Sequence, residues 1–185
     1  PDAQDPRGLT ASEWRADPRL AAPVARTFNT RKSVRQDQLG TVIEHDRGTM
    51  SLRLSAQAGQ RAVTQYLAIP AAAQANRLHG GGVIALDSDY AGVDLRLGGN
   101  PHPALEWSIG LNSEGQRQWR RGFENFIGST LGVRGALRRE QRDTVWNLDG
   151  HAQLAWMPAP RVQLQAGLRH SRVQFASDDR YLAAG

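Results

Sequence analysis

Between residues 146 and 156 the chain reads WNLDGHAQLAW, and its side chains divide cleanly by parity. Trp146, Leu148, Gly150, Ala152, Leu154 and Trp156 form an apolar set, while Asn147, Asp149, His151 and Gln153 form a polar one. A period of 2 is that of a β-strand with one face dry and one wet, and it does not fit the 3.6-residue period of a helix. The same alternation recurs along the chain. It runs through Leu39, Thr41 and Ile43, then Met50, Leu52, Leu54, Ala56 and Ala58, and then Ala91, Val93, Leu95 and Leu97. It returns at Leu105, Trp107, Ile109 and Leu111, and last at Val162, Leu164, Ala166 and Leu168. Six strands in three hairpins are therefore expected, with tight turns near 46–48, 98–103 and 157–160. Loops are expected over 1–30, 62–88, 113–142 and after 175, where the period fades or Pro and Gly cluster.

All the short turns fall at one end of this antiparallel β-meander and all the long connections at the other. Transmembrane β-barrels have that asymmetry, together with an outward apolar band, and both sets of expected connections fit it. The fold class predicted is all-β, an antiparallel meander of about six strands forming part of a transmembrane β-barrel with long extracellular loops. A mean hydropathy of -0.54 does not argue against a barrel, because alternating strands average out polar. Trp146 and Trp156 are ten residues apart, a rise of about 25 Å for a strand tilted by about 40°. That matches the height of an apolar band, so Trp107, Trp146 and Trp156 are read as members of its two interfacial girdles.

Composition narrows the chemistry. The 23 basic residues include one lysine, Lys32, and so 22 arginines, against 18 acidic residues. The excess of positive charge suits anionic partners, but the arginines are scattered, and no basic helix or aromatic platform for nucleic acid accompanies them. Cysteine is absent, which excludes disulfides and thiolate metal sites. Asp149, His151, His170 and Ser171 offer the residue types of a hydrolytic triad without a nucleophile elbow, and Gly80-Gly81-Gly82 lacks the Lys-Ser/Thr of a phosphate loop. No catalytic residue, metal ligand or cofactor is expected. In SEGQRQWRRGFENF, the residues Arg117, Trp119, Arg120 and Arg121 provide guanidinium donors and an aromatic wall. They are the candidate contacts for an anionic ligand in the second long loop.

The run LGVRGALRREQRDTVWNLDGHAQLAWMPAPRVQLQAGLRHSRVQFASDDRYL resembles the barrel of TonB-dependent outer-membrane receptors of the ferric-siderophore type. The segments AGLRHSRVQFASDDRYL and GFENFIGSTLGVRG carry most of the likeness. DPRGLTASEWRADPRLA followed by TFNTRKSVRQDQLG fits an extracellular loop, residues 1–30, descending into a strand. The resemblance implies that residues 1–185 are a mid-barrel arc of a bacterial outer-membrane receptor, with the plug and the C-terminal strands absent. The chain starts at Pro1 without an initiator Met, in keeping with a piece of a longer precursor. The implied function is uptake of a ferric siderophore or similar metal chelate. The implied partners are outer-membrane lipid and lipopolysaccharide, and a TonB-type energy-transducing protein acting through the plug. A passive porin or a structural outer-membrane barrel is the alternative.

Overall fold

The computed structural model describes residues 1–182. Strands β1 (Asp2–Gln4), β2 (Arg31–Arg47), β3 (Met50–Tyr66), β4 (Val83–His102) and β5 (Leu105–Phe123) come first. The short β6 (Phe126–Ile127) and β7 (Thr130–Leu131) follow, then β8 (Leu137–Ala159) and β9 (Val162–Tyr181). Three short helices, α1 (Ala11–Ala16), α2 (Pro23–Thr27) and α3 (Ala71–Gln74), lie in the connections. One antiparallel sheet holds the order β1-β2-β3-β4-β5-β8-β9, and β6 and β7 pair with each other as a separate hairpin. The all-β meander expected from the alternation is thus present, with six long strands at its centre.

Each of the three hairpin turns contains two residues: Gly48-Thr49, Pro103-Ala104 and Pro160-Arg161. Gly48 has φ +60, the positive value that a two-residue hairpin can require at its first central position. The long connections at the other end are shorter than the sequence suggested. They span 67–82 and 124–136, where loops over 62–88 and 113–142 were expected, and β9 continues to Tyr181 where a loop after 175 was expected. The last part of that expected loop, 183–185, lies outside the described residues. The reason is physical. Beyond the apolar stretches both faces of the strands become polar, so the period-2 signal disappears while the backbone ladder continues unbroken from Gly115↔Trp146 to Gly122↔Arg139. Arg117, Trp119, Arg120 and Arg121 therefore sit on β5 and not in a loop. Residues 1–30, expected to be loop throughout, contain β1, α1 and α2. Thr10 and Glu13 close a reciprocal capping box at the start of α1.

The buried apolar residues Ala22, Ala25, Phe28, Val63, Val83 and Ala85 lie in the N-terminal segment and at the long-connection end of the sheet. Elsewhere large apolar side chains stand open: Leu39 and Leu168 are each 81% exposed.

Candidate functional site

Backbone register assigns every side chain of the six long strands to one of two faces. On the apolar face, one lattice row runs Leu39↔Ala58↔Ala91↔Gly115↔Trp146↔Gln174. A second runs Ile43↔Leu54↔Leu95↔Leu111↔Gly150↔His170. On β2 the apolar stretch starts at Leu39 and ends at Ile43. On β9 it is bounded by Leu168, six residues from Gln174, and by Val162, eight residues from His170. From β2 to β9 the loop-side edge of the band therefore moves toward the hairpin turns by six residues and the turn-side edge by eight, across five strand-to-strand steps. With about 3.3 Å per residue and about 4.8 Å between strands, this drift makes the strands cross the band at about 40–50° from its normal.

The three tryptophans expected to mark the band lie on this face. Trp107 is opposite Gly99 and Leu154, and Trp156 opposite Leu105 and Leu164, toward the turns; Trp146 is opposite Gly115, toward the long connections. Each of two glycines sits under an indole. A Cβ on Gly99 would lie 2.9 Å from Trp107 Nε1, and one on Gly115 3.7 Å from Trp146 Cδ1. Trp146 Nε1 donates to Ser113 Oγ at 3.0 Å, which satisfies the ring's polar atom while its body stays on the apolar side.

The other face carries a polar ladder. Tyr90 Oη donates to Gln38 Oε1 and accepts from Gln36 Nε2, and Gln38 Nε2 continues to Gln57. Arg53 pairs with Glu44 at 2.5 Å and Arg96 with Asp94 at 2.9 Å. Asp149 accepts hydrogen bonds from Asn147, Arg169 and Ser171.

Parity splits the basic motif on β5. Arg117, Trp119 and Arg121 share the apolar face, beyond the band, while Arg120 is on the polar face opposite Leu86 and Gln141. Trp119 is flanked by the guanidinium groups of Arg121 at 4.1 Å and Arg142 at 5.6 Å from the ring centroid. Its Nε1 donates to Glu140 at 3.0 Å, Arg142 reaches the same carboxylate at 3.3 Å, and Arg121 pairs with Asp87 at 2.6 Å. Sequence reasoning missed this division, although continuing the odd parity of Trp107 through twelve residues to Trp119 would have found it.

The groups with catalytic residue types do not assemble into a relay. Ser171 and Asp149 meet directly, without an imidazole between them, and His170 points to the opposite face. Asp178 is held by Arg180 at 2.7 Å, and Asp179 by Arg139 at 2.6 Å on the other face. Hydrogen bonds from Arg139 hold the Asp179 carboxyl below the usual carboxylate range, and Asp179 in turn raises Arg139. Among the described residues no group of three or more His, Cys, Asp or Glu is arranged to hold a metal ion.

At the long-connection end, a buried amide pair that the sequence did not signal joins two loops. Gln74 Nε2 donates to Asn125 Oδ1 at 2.7 Å, and Asn125 Nδ2 donates to the Leu67 and Ile69 carbonyls at 2.8 and 3.0 Å. Arg138 Nη2 caps the Gln74 and Asn76 carbonyls at 2.7 and 2.8 Å. The N-terminal segment joins the same layer. Arg31 Nη1 donates to Gly132 O at 3.3 Å, and its guanidinium stacks 3.4 Å from the Tyr66 ring centroid. No protein-family model matches the chain.

Proposed function

We propose that the chain is an arc of a transmembrane β-barrel in a bacterial outer membrane, with the apolar face toward lipid and the polar face toward the lumen. The observation that carries this reading is the oblique band. Strands of membrane barrels are tilted by about 35–45°, so a horizontal hydrocarbon layer must cross their register rows obliquely. The drift of the band from β2 to β9 is close to that tilt, and the ten residues from Trp146 to Trp156 then span about 25 Å, the height of a barrel's apolar band. A soluble half-buried sheet has no reason to carry its dry stripe obliquely from one edge strand to the other.

Within this reading the barrel belongs to a TonB-dependent receptor that takes up a ferric siderophore or a similar chelate, as the resemblance of the β5–β9 region implies. A TonB-type protein supplies the energy through a plug. Arg120, facing the polar side near the long connections, is the member of the basic motif placed to meet an anionic chelate. Arg117, Trp119 and Arg121 face outward. The clasped loops would give the ligand a rim already ordered before it binds.

Two measurements test the two levels. Cysteine-accessibility scanning of 146–156 in membranes should give protection at even positions and labelling at odd ones; a helical period would rule out the barrel. Growth on a ferric chelate as sole iron source should require the intact gene and the energy-transducing partner. Uptake independent of that partner would favour a passive porin.

A further inference from the structure

On the polar face, Tyr90 lies along the sheet and does not stand away from it. A Cβ on Gly59, its partner on β3, would fall 2.6 Å from Tyr90 Oη and 2.7 Å from Cζ, so the ring crosses that strand where no side chain blocks it. Gln36 and Gln38 on β2 hold the hydroxyl at 3.0 and 2.8 Å and fix the pose. The half-buried ring thus has one face against the wall and the other toward the open side.

Beside the ring the wall is hollowed. Along the row Gly40↔Gln57↔Gly92↔Glu114↔Asn147, glycines separate the first long side chains, and two hollows of about 290 and 190 Å³ meet at Gln57 and Glu114. Four strand-to-strand steps make this furrow about 19 Å long. Val145 and the exposed Phe175 continue the row of Tyr90 and Gln116 as an apolar rim.

Hydrogen-bonding capacity along the furrow is left over. Gln57 accepts from Gln38, but its Nε2 has no partner among the described residues, and neither the Gln116 amide nor the Glu114 carboxylate has one. No arginine or lysine lines either hollow. An anion would meet an unpaired carboxylate here and no guanidinium, which separates this wall from Arg120 above it. Donors and acceptors together, beside a flat ring, match a neutral polyhydroxylated ligand. Its hydroxyl groups both donate and accept, while its C–H face can pack on the ring and on Val145.

We propose that this furrow binds a short saccharide, a di- or trisaccharide, on the inner wall at the level of Trp146. The inference goes beyond chelate uptake and rests on the barrel reading for the route by which the ligand reaches the wall from the long-connection side.

The test is calorimetric titration of the complete barrel in lipid nanodiscs with maltotriose and with cellotriose. At least one should bind saturably, in the millimolar range or tighter. Tyr90→Leu, and separately the double variant Gln57→Ala with Gln116→Ala, should each weaken binding by about tenfold or more. Tyr90→Phe keeps the ring and should stay within about threefold of the parent, as should Gln153→Ala on the same face toward the turns. Absence of binding by both saccharides would overturn the proposal, as would an affinity unchanged in both Tyr90→Leu and the double variant. Displacement of the saccharide by tetramethylammonium would also overturn it, in favour of a cation site on Glu114. Brominated acyl chains separate the two failures. If they do not quench tryptophan fluorescence, the barrel reading itself fails; if they quench and no saccharide binds, only this inference does.

Discussion

Gln74 and Asn125, 51 positions apart, face each other in the buried layer with exposures of 1% and 0%, and their side-chain amides bond at 2.7 Å. Asn125 also accepts the task of satisfying two backbone carbonyls of the 67–82 loop, at Leu67 and Ile69. A Cβ on Gly82 would lie 2.5 Å from the Asn125 amide, so the strand that leaves the loop passes directly beneath the clasp. Two long connections are thereby fastened to each other as well as to their strands.

Asn125→Ala removes three side-chain hydrogen bonds and takes the Asn125 donor from the Leu67 carbonyl, while Ile69 O keeps the bond from Gln74 Nε2 at 2.9 Å. A loss of about 2–4 kcal/mol is expected, because each orphaned buried group costs about 1–3 kcal/mol and some recover water. Hydrogen exchange should show loss of protection confined to 67–82 and 124–136, with the strand centres unchanged.

Gly81 has φ +93, and a Cβ there would collide with the Phe123 carbonyl. Gly81→Ala should therefore cost at least about 2 kcal/mol, from backbone strain and the clash together. At Gly80 the added methyl would meet only the Arg139 side chain at 3.4 Å, and Gly80→Ala is expected to stay within about 0.5 kcal/mol. Urea unfolding of the two variants in lipid checks the contrast. The triple glycine, readable in sequence as flexibility alone, is in this respect three different positions.

The Arg139–Asp179 pair gives a pH dependence with a definite sign. The folded-state pKa of Asp179 is depressed, so its stabilising contribution is present above the unfolded carboxylate value, roughly pH 4, and is lost as pH falls through the folded value. Protection of the β8–β9 ladder near Arg139↔Tyr181 should decline on acidification below that point. Asp179→Asn should remove that part of the decline while lowering protection at neutral pH.

Six strands, three turns and the apolar parity were legible because one face of each strand is apolar, and a period of 2 is strong wherever the two faces differ. Arg117 to Arg121 were misread as loop because Gln116, Gln118 and Arg120 oppose Arg117, Trp119 and Arg121, polar against mostly polar, and no period survives. Register was the larger gap. Leu39 and Leu168 look equivalent in sequence, and only the pairings between strands reveal that they lie three lattice rows apart. The Gln74–Asn125 clasp depends on two single polar residues in separate loops, for which no local pattern exists.

Leu148 and Asn147 are neighbours on β8 that face opposite ways, Leu148 beside Ser113 on the apolar face and Asn147 beside Glu114 on the polar one. The most direct test of the membrane reading is the unfolding free energy of the complete barrel in lipid bilayers with Leu148→Arg compared with Asn147→Arg. A lipid-facing Leu148, two residues inside Trp146 and opposite Arg172, predicts a cost of about 1–2 kcal/mol for its replacement, since the guanidinium loses water there but can reach the nearby interface. Asn147→Arg should cost under about 1 kcal/mol, its side chain entering a polar lumen. Equal costs, or a larger cost at Asn147, would contradict the account.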